Sequence, residues 1–143
     1  AASWDSARSQ VLEAASTLQS RSTATLARLA RECSVEGWDG YAAKPITAAT
    51  CERVQSFIDA LPSWMAPPDI VPEADGEVAV EWDFGPQQIF SVSIGEQGPL
   101  HFAGLFGLNK ERHGAEPFED SVPEDIFSYI SRLVRTAAAR RAA

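Results

Sequence analysis

Three stretches, "EVAVEW", "QIFSVSI" and "LHFAGLF", alternate apolar with polar or small residues at a period of two. That period is the mark of strands buried on one face only. The connectors between them, "DFGPQ" and "GEQGP", are short enough for hairpins, so the strands read as a three-stranded antiparallel meander in chain order. One face then carries Val78, Val80, Trp82, Phe90, Val92, Ile94, Leu100 and Phe102. The other presents Glu77, Glu81, Ser91, Ser93 and His101, with Ala79 and Ala103 between them. A sheet with one apolar face needs a cover, and the cover must come from the segments on either side.

Those segments are helical in pattern. No glycine or proline occurs from Ser3 to Cys33, and Val11, Ala15, Leu18, Leu26, Leu29 and Cys33 approximate one stripe, which predicts a long first helix. Its first half is rich in Ser, Thr and Ala, so residues 1–20 are expected either to protrude from the core as helix or to fray. Thr47 is placed to cap a second helix with Cys51, Val54, Ile58 and Leu61 inward. Ser121 and Glu124 form a capping-box pattern for a last helix carrying Ile126, Ile130, Leu133 and Val134, with residues 136–143 as a frayed tail. The stretch 62–76, rich in proline and glycine, reads as an extended crossing, and 107–121 as a long polar loop. The expected fold is α+β, in the order α-α-β-β-β-α, with the meander packed against helices. The 143 residues suit a single domain.

Between the first two helices lies "GWDGYAAKP", residues 37–45. Gly37 is placed to end the first helix, Asp39-Gly40 is a turn pair, and Pro45 stops helix from running into the Thr47 cap. Trp38 and Tyr41 either pin this turn to the core or anchor a partner, and pinning is the expected role. Trp38, Asp39, Gly40, Tyr41 and Pro45 therefore read as a structural clasp, with Asp39 tied to turn amides or left free beside the sheet. The aromatic pair Trp82/Phe84, also beside a turn, reads the same way.

Chemistry-bearing patterns are sparse. Pairing of the strands puts Ser93 opposite His101, with Glu81 one strand further on, but nothing marks a strained nucleophile elbow or an oxyanion hole. His101, His113, Cys33 and Cys51 show no HExxH or CxxC spacing, so no metal is expected. Glu73, Asp75, Glu77, Glu81 and Asp83 do not match a calcium loop and read as a charged strand edge. Gly104 and Gly107 lack the spacing of a phosphate cradle, and no cofactor is expected. Lys110, Arg112 and His113 read as a solvated loop rather than an anion site. Cys33 and Cys51 flank one connector, which leaves a bridge geometrically open, but a reducing compartment favours free thiols.

The net charge of −8 opposes attraction to nucleic-acid backbones and suits a partner with a basic surface. No apolar run reaches the roughly 20 residues of a membrane span, and no basic, apolar leader is seen, so a cytoplasmic location is expected.

The segments "GWDGYAAKPIT", "PPDIVPEADGEVAVEW" and "SVSIGEQGPLHFAGLFG" resemble a group of small uncharacterised bacterial proteins with a W-D-G-Y-G-A-x-P segment and a later P-x-x-D-G-x-x-x-x-E-W segment. The likeness covers about residues 36 to 130, on the same turn and strand signals. It rests on Trp38, Asp39, Gly40, Tyr41 and Pro45, and on Asp75, Gly76, Glu81 and Trp82. Ala42 stands where the group's pattern has glycine, so that bend need not require a positive φ. The resemblance implies no activity.

The leading expectation is a non-enzymatic protein-interaction module of a bacterial cytoplasm, antitoxin-, immunity- or defence-adaptor-like, binding through Glu77, Glu81, Ser91, Ser93 and His101 or through the first helix. One alternative is a small hydrolase or small-molecule-binding domain using His101 with Ser93 or Asp39. Another is a homodimer or larger homo-oligomer built through the N-terminal helix, on the stripe Leu18, Leu26 and Leu29.

Overall fold

The computed structural model describes residue 18 and residues 20–142. The protruding helix expected over 1–20 lies almost wholly outside the described residues. A first helix, α1, covers 20–32, and α2 runs Ala48–Ala60. Five strands follow: β1 Asp69–Pro72, β2 Val78–Asp83, β3 Gln88–Ile94, β4 Leu100–Phe106 and β5 Glu111–Glu116, and then α3, Glu124–Ala142. The fold is α+β, and the strands form one antiparallel sheet in chain order.

The sheet therefore has five strands where the sequence suggests three. Both added strands are edges, formed from the stretches read as a crossing and as a loop. A period-two pattern arises only where one face of a strand is buried. The side of β5 that faces the helices carries Arg112, Gly114 and Glu116, opposite Gly104, Phe102 and Leu100, so it has no apolar half. β1 has four residues and ends in Pro72, too short for a pattern to register.

The register is regular from edge to edge. Ile70 pairs Val80, Val80 pairs Val92, Val92 pairs Phe102 and Phe102 pairs Gly114. Side chains alternate along each strand, so even-numbered residues point to the helices and odd-numbered ones to the opposite face. All eight residues expected inward on the three central strands are buried there, together with Leu26, Leu29, Val54, Phe57, Ile126 and Ile130 of the helices. Phe90 lies within 5.9–6.1 Å of the ring centres of Phe102, Phe106 and Tyr129. Gly104 leaves room for this cluster: a Cβ there would lie 2.7 Å from Phe90 Cδ1 and 2.9 Å from Phe106 Cε2.

Arg53, on α2, ties three segments together. Its guanidinium donates to the carbonyls of Gly95, Gly98 and Phe118 and lies 5.7 Å from the centre of the Phe118 ring. The helix is thereby fixed to the β3–β4 hairpin and to the approach to α3.

Several boundaries differ from expectation. α1 ends at residue 32, short of Gly37, whose positive φ of 75° serves the following loop instead. Thr47 does cap α2, its side chain accepting from the Thr50 amide at 3.2 Å, and Phe57 joins the buried face. α3 begins behind Pro123, whose carbonyl accepts from the Phe127 amide at 2.9 Å, so Ser121 stands too far upstream to cap it. The tail expected to fray from 136 is helical to Ala142, with Ala137 buried. Arg140 supports it: in the amide orientation that satisfies both groups, the buried Gln88 side chain accepts from both Arg140 terminal nitrogens, at 3.1 and 3.3 Å. Leu18, Leu26 and Leu29 are buried within the chain, which removes the unsatisfied stripe on which self-association rested. No helix among the described residues is long and apolar enough to cross a membrane.

Cys33 and Cys51 are free thiols. Burial pushes the Cys33 thiol up, with Glu32 adding to the effect and Arg28 opposing it. Burial also raises Cys51, and Cys33 raises it further. Thiolate is the reactive species, so iodoacetamide at pH 8 is expected to label both cysteines slowly in the folded chain and quickly in denaturant. Rapid labelling of the folded chain, followed by mass spectrometry, would contradict this.

Candidate functional site

The helices cover one face of the sheet, and the odd-numbered face is the candidate site. Its rows follow from the register. One runs Val71, Ala79, Ser93, His101, Ala115, and the next Asp69, Glu81, Ser91, Ala103, His113. A third runs Asp83, Ile89, Leu105, Glu111. The face is acidic on β1 and β2, small and polar in the middle, and bears His101, His113 and Glu111 on β4 and β5.

Both of its serines are held by carboxylates. Ser93 donates its hydroxyl to Glu73 Oε1 at 2.7 Å, and Ser91 donates to Glu81 Oε1 at 3.3 Å. The register places Ser93 beside His101, but the Ser93 hydroxyl points its proton at Glu73, and Glu81 lies in the neighbouring row. Ser93, His101 and Glu81 thus do not form a relay of nucleophile, base and carboxylate, which needs each group aimed at the next. Asp39 is not near them in role: its Oδ1 accepts from the amides of Tyr41 and Ala43, at 2.9 and 3.3 Å.

The same contacts describe the connector. Asp39 holds the turn, Gly40 has φ 85°, and Trp38 Nε1 donates to the Lys44 carbonyl at 2.8 Å while its ring packs against the core. Pro45 is exposed and precedes the buried Ile46. Tyr41 does not take part: its side chain is 88% exposed. The Tyr41 amide is held by Asp39, but the ring itself is left in solvent. Trp82 Nε1, by contrast, donates to the Ala66 carbonyl at 2.8 Å, pinning the 62–68 connector.

At the β1–β2 turn, Glu73, Asp75 and Glu77 each offer a carboxylate oxygen, all within 4.8 Å of one another. Such a set suits a hard cation in charge and donor type. Asp75 Oδ1 already accepts from the Glu77 amide at 2.9 Å, and Glu73 from Ser93, so two of the three serve the hairpin itself. Burial pushes the Glu77 carboxyl up. Asp75 and Glu73 add to this, and His101 and Arg53 oppose it.

That shift has a sign. A carboxyl whose folded pKa lies above its unfolded value holds its proton more tightly when folded. Its contribution to stability is therefore best below the unfolded pKa and declines as pH rises through the folded one. Glu77→Gln, which never ionises, is expected to melt at a higher temperature than the native chain at pH 7, with the gap closing near pH 3.5, around and below the usual carboxylate pKa of about 4. Thermal melts at the two pH values check it, and a variant less stable at pH 7 than at low pH, relative to native, would count against it.

Sequence reasoning missed the apolar part of the face. Ile89 and Leu105 sit side by side on the outer surface, half-buried, and with Ser91, Ala103, Glu111 and His113 they line a shallow cavity of about 330 Å³. The signal was present as two large apolar residues at odd positions in strands whose core residues are even. Seeing it required the fifth strand, which supplies the Glu111 and His113 wall.

Comparison with protein-family models, with curated proteins and with solved structures gives no match to this chain.

Proposed function

We propose that this chain is a non-enzymatic protein-interaction module that offers the outer face of its sheet to a partner with a basic surface. The observation that carries this reading is the make-up of that face: the apolar floor of Ile89 and Leu105 beside the carboxylates of Asp69, Glu81 and Asp83. An apolar patch with a charged surround is the usual anatomy of a recognition surface. Small residues at Ala79, Ser91, Ser93 and Ala103 keep the face low, which lets a partner's backbone approach. The net charge of −8 speeds encounter with a basic partner and disfavours an acidic one at this face. An adaptor of the antitoxin, immunity or defence kind in a bacterial cytoplasm fits a small acidic domain of this build.

The hydrolytic alternative has less support, because Ser93 and Glu81 are engaged with Glu73 and Ser91. The test compares proteins captured from the native host by the intact chain with those captured by two variants. One carries Glu77, Glu81 and His101 as alanine, and the other is Leu105→Glu, with a cooperative melt well above the assay temperature required of both. A partner held by the native chain, released by both variants and released by salt is the expected outcome. Retention of every partner by both variants sinks the sheet-face reading.

A further inference from the structure

The helical side carries a second concavity, independent of the sheet face and opposite to it in charge. Trp64, Phe127, Ser128, Ser131 and Arg135 line a groove of about 400 Å³ between the 62–68 connector and α3. We propose that this groove docks an acidic segment of a partner protein that carries one aromatic or large aliphatic anchor. The anchor lies against Trp64 and Phe127, and flanking carboxylates reach Arg135.

The first ground is the tryptophan. Trp64 is 63% exposed, and a tryptophan held in water forgoes the largest burial gain available to any side chain. Its ring is nevertheless placed, edge-to-face on Phe127 with centroids 6.2 Å apart and planes at 77°. The backbone beneath it is held as well. The Met65 amide donates to the Pro62 carbonyl at 3.0 Å, the Met65 side chain is buried, and the Ala66 carbonyl accepts from Trp82. An aromatic wall fixed before anything arrives lowers the ordering cost of binding. Tryptophan and arginine are also the residues that most often dominate binding energy at interfaces.

The second ground is charge. After its acidic first turn, Glu124 and Asp125, α3 has four arginines, Arg132, Arg135, Arg140 and Arg141, and no further Asp or Glu, in a chain whose net charge is −8. Arg140 is turned to Gln88, and Arg132 lies 5.3 Å from the centre of the Phe106 ring. Arg135 donates through Nε to the Ser131 carbonyl at 3.3 Å, which lays its guanidinium along the groove. A carboxylate matches that planar fork, whereas a lysine-rich segment is repelled.

An arginine beside an aromatic shelf is also chemistry that nucleobases use. The groove has one aromatic step, Trp64 on Phe127, rather than the track of stacking platforms that successive bases need, so a protein segment is the better fit.

The experiment uses the whole chain and four labelled probes, read by fluorescence anisotropy. They are a short capped peptide with one Phe among Asp and Glu, the same peptide with Ala for Phe, the same with Lys for the acids, and an oligo-dT. The acidic Phe peptide is expected to bind about tenfold or more tighter than the other three, a gap of about 1.4 kcal/mol. Trp64→Ala and Arg135→Glu are each expected to weaken it by about tenfold, and Arg21→Glu, on α1, to leave it unchanged. Melting curves accompany each variant, and Arg135→Glu, at an exposed site, keeps the test usable if Trp64→Ala unfolds. Equal binding of the Ala or Lys peptide, preference for oligo-dT, no binding of the acidic Phe peptide, or indifference to both groove substitutions would each overturn the proposal.

Discussion

Replacing Phe90 with alanine is expected to remove about 3–5 kcal/mol of stability, the range for a large aromatic side chain lost from a sealed core. Phe90 is fully buried and touches three other aromatic rings, Phe102, Phe106 and Tyr129, so its removal costs edge and stacking contacts beyond area. The companion substitution is Gly104→Ala. A methyl at Gly104 meets the Phe90 and Phe106 rings inside van der Waals contact, and overpacking of this kind costs about 1–3 kcal/mol. The two losses are not expected to add: with Phe90 gone, the methyl at 104 enters space the ring has left. Urea denaturation of both single variants and the double variant measures the coupling. Strict additivity would show that Gly104 is not there to admit the ring.

Arg53→Ala is expected to cost on the order of 3 kcal/mol, since charge-assisted hydrogen bonds are worth more than neutral ones and their loss strands the acceptors. Three carbonyls lose a donor at once, those of Gly95, Gly98 and Phe118, and Phe118 loses the cation over its ring. Arg53→Lys should fall between alanine and native, because an ammonium keeps the charge but lacks the fork that spans separate segments. The midpoint in urea should fall with the slope unchanged. A loss below about 0.5 kcal/mol, the scale of an ordinary surface change, would mean that the three contacts are incidental.

These two residues show where sequence reasoning reaches and where it stops. Phe90 announces itself, since it sits at the inward phase of a strand whose alternation is unbroken, and the same phase correctly assigns the inner face of β2, β3 and β4. Arg53 sends no such signal. Its partners lie 42 to 65 residues away and are backbone carbonyls, which have no letter in the sequence. β1 and β5 were missed for a related reason. Alternation records burial rather than hydrogen bonding: β5 gains its ladder without an apolar side, and β1 buries only Ile70, one residue being too few for a pattern. The connector was legible in part: Asp39-Gly40 turns the chain as its letters suggest, but whether the nearby tyrosine folds in or out depends on backbone direction, which the letters do not carry. Strand phase alone places Glu81, Ser91, Ser93 and His101 on the outward side of the sheet, whereas Glu77 lies just before β2, in the turn. What could not be read was that Glu73 would reach Ser93, or that Trp64 and Phe127, 63 residues apart in number, would form one groove.

The two edges of the sheet carry a consequence for how partners can bind at all. A strand added beside β5 would have to accept Glu111, Arg112, His113 and Glu116 as its neighbours, and one added beside β1 would meet Pro72, which has no amide to give. Recognition by extending the ladder is indifferent to most side chains, because backbone pairs with backbone. With that route disfavoured at both ends, contact falls to the faces, where side chains decide. Specificity then resides in a handful of outward residues that the core does not use, so the set of partners can change by surface substitution while the architecture beneath stays as it is.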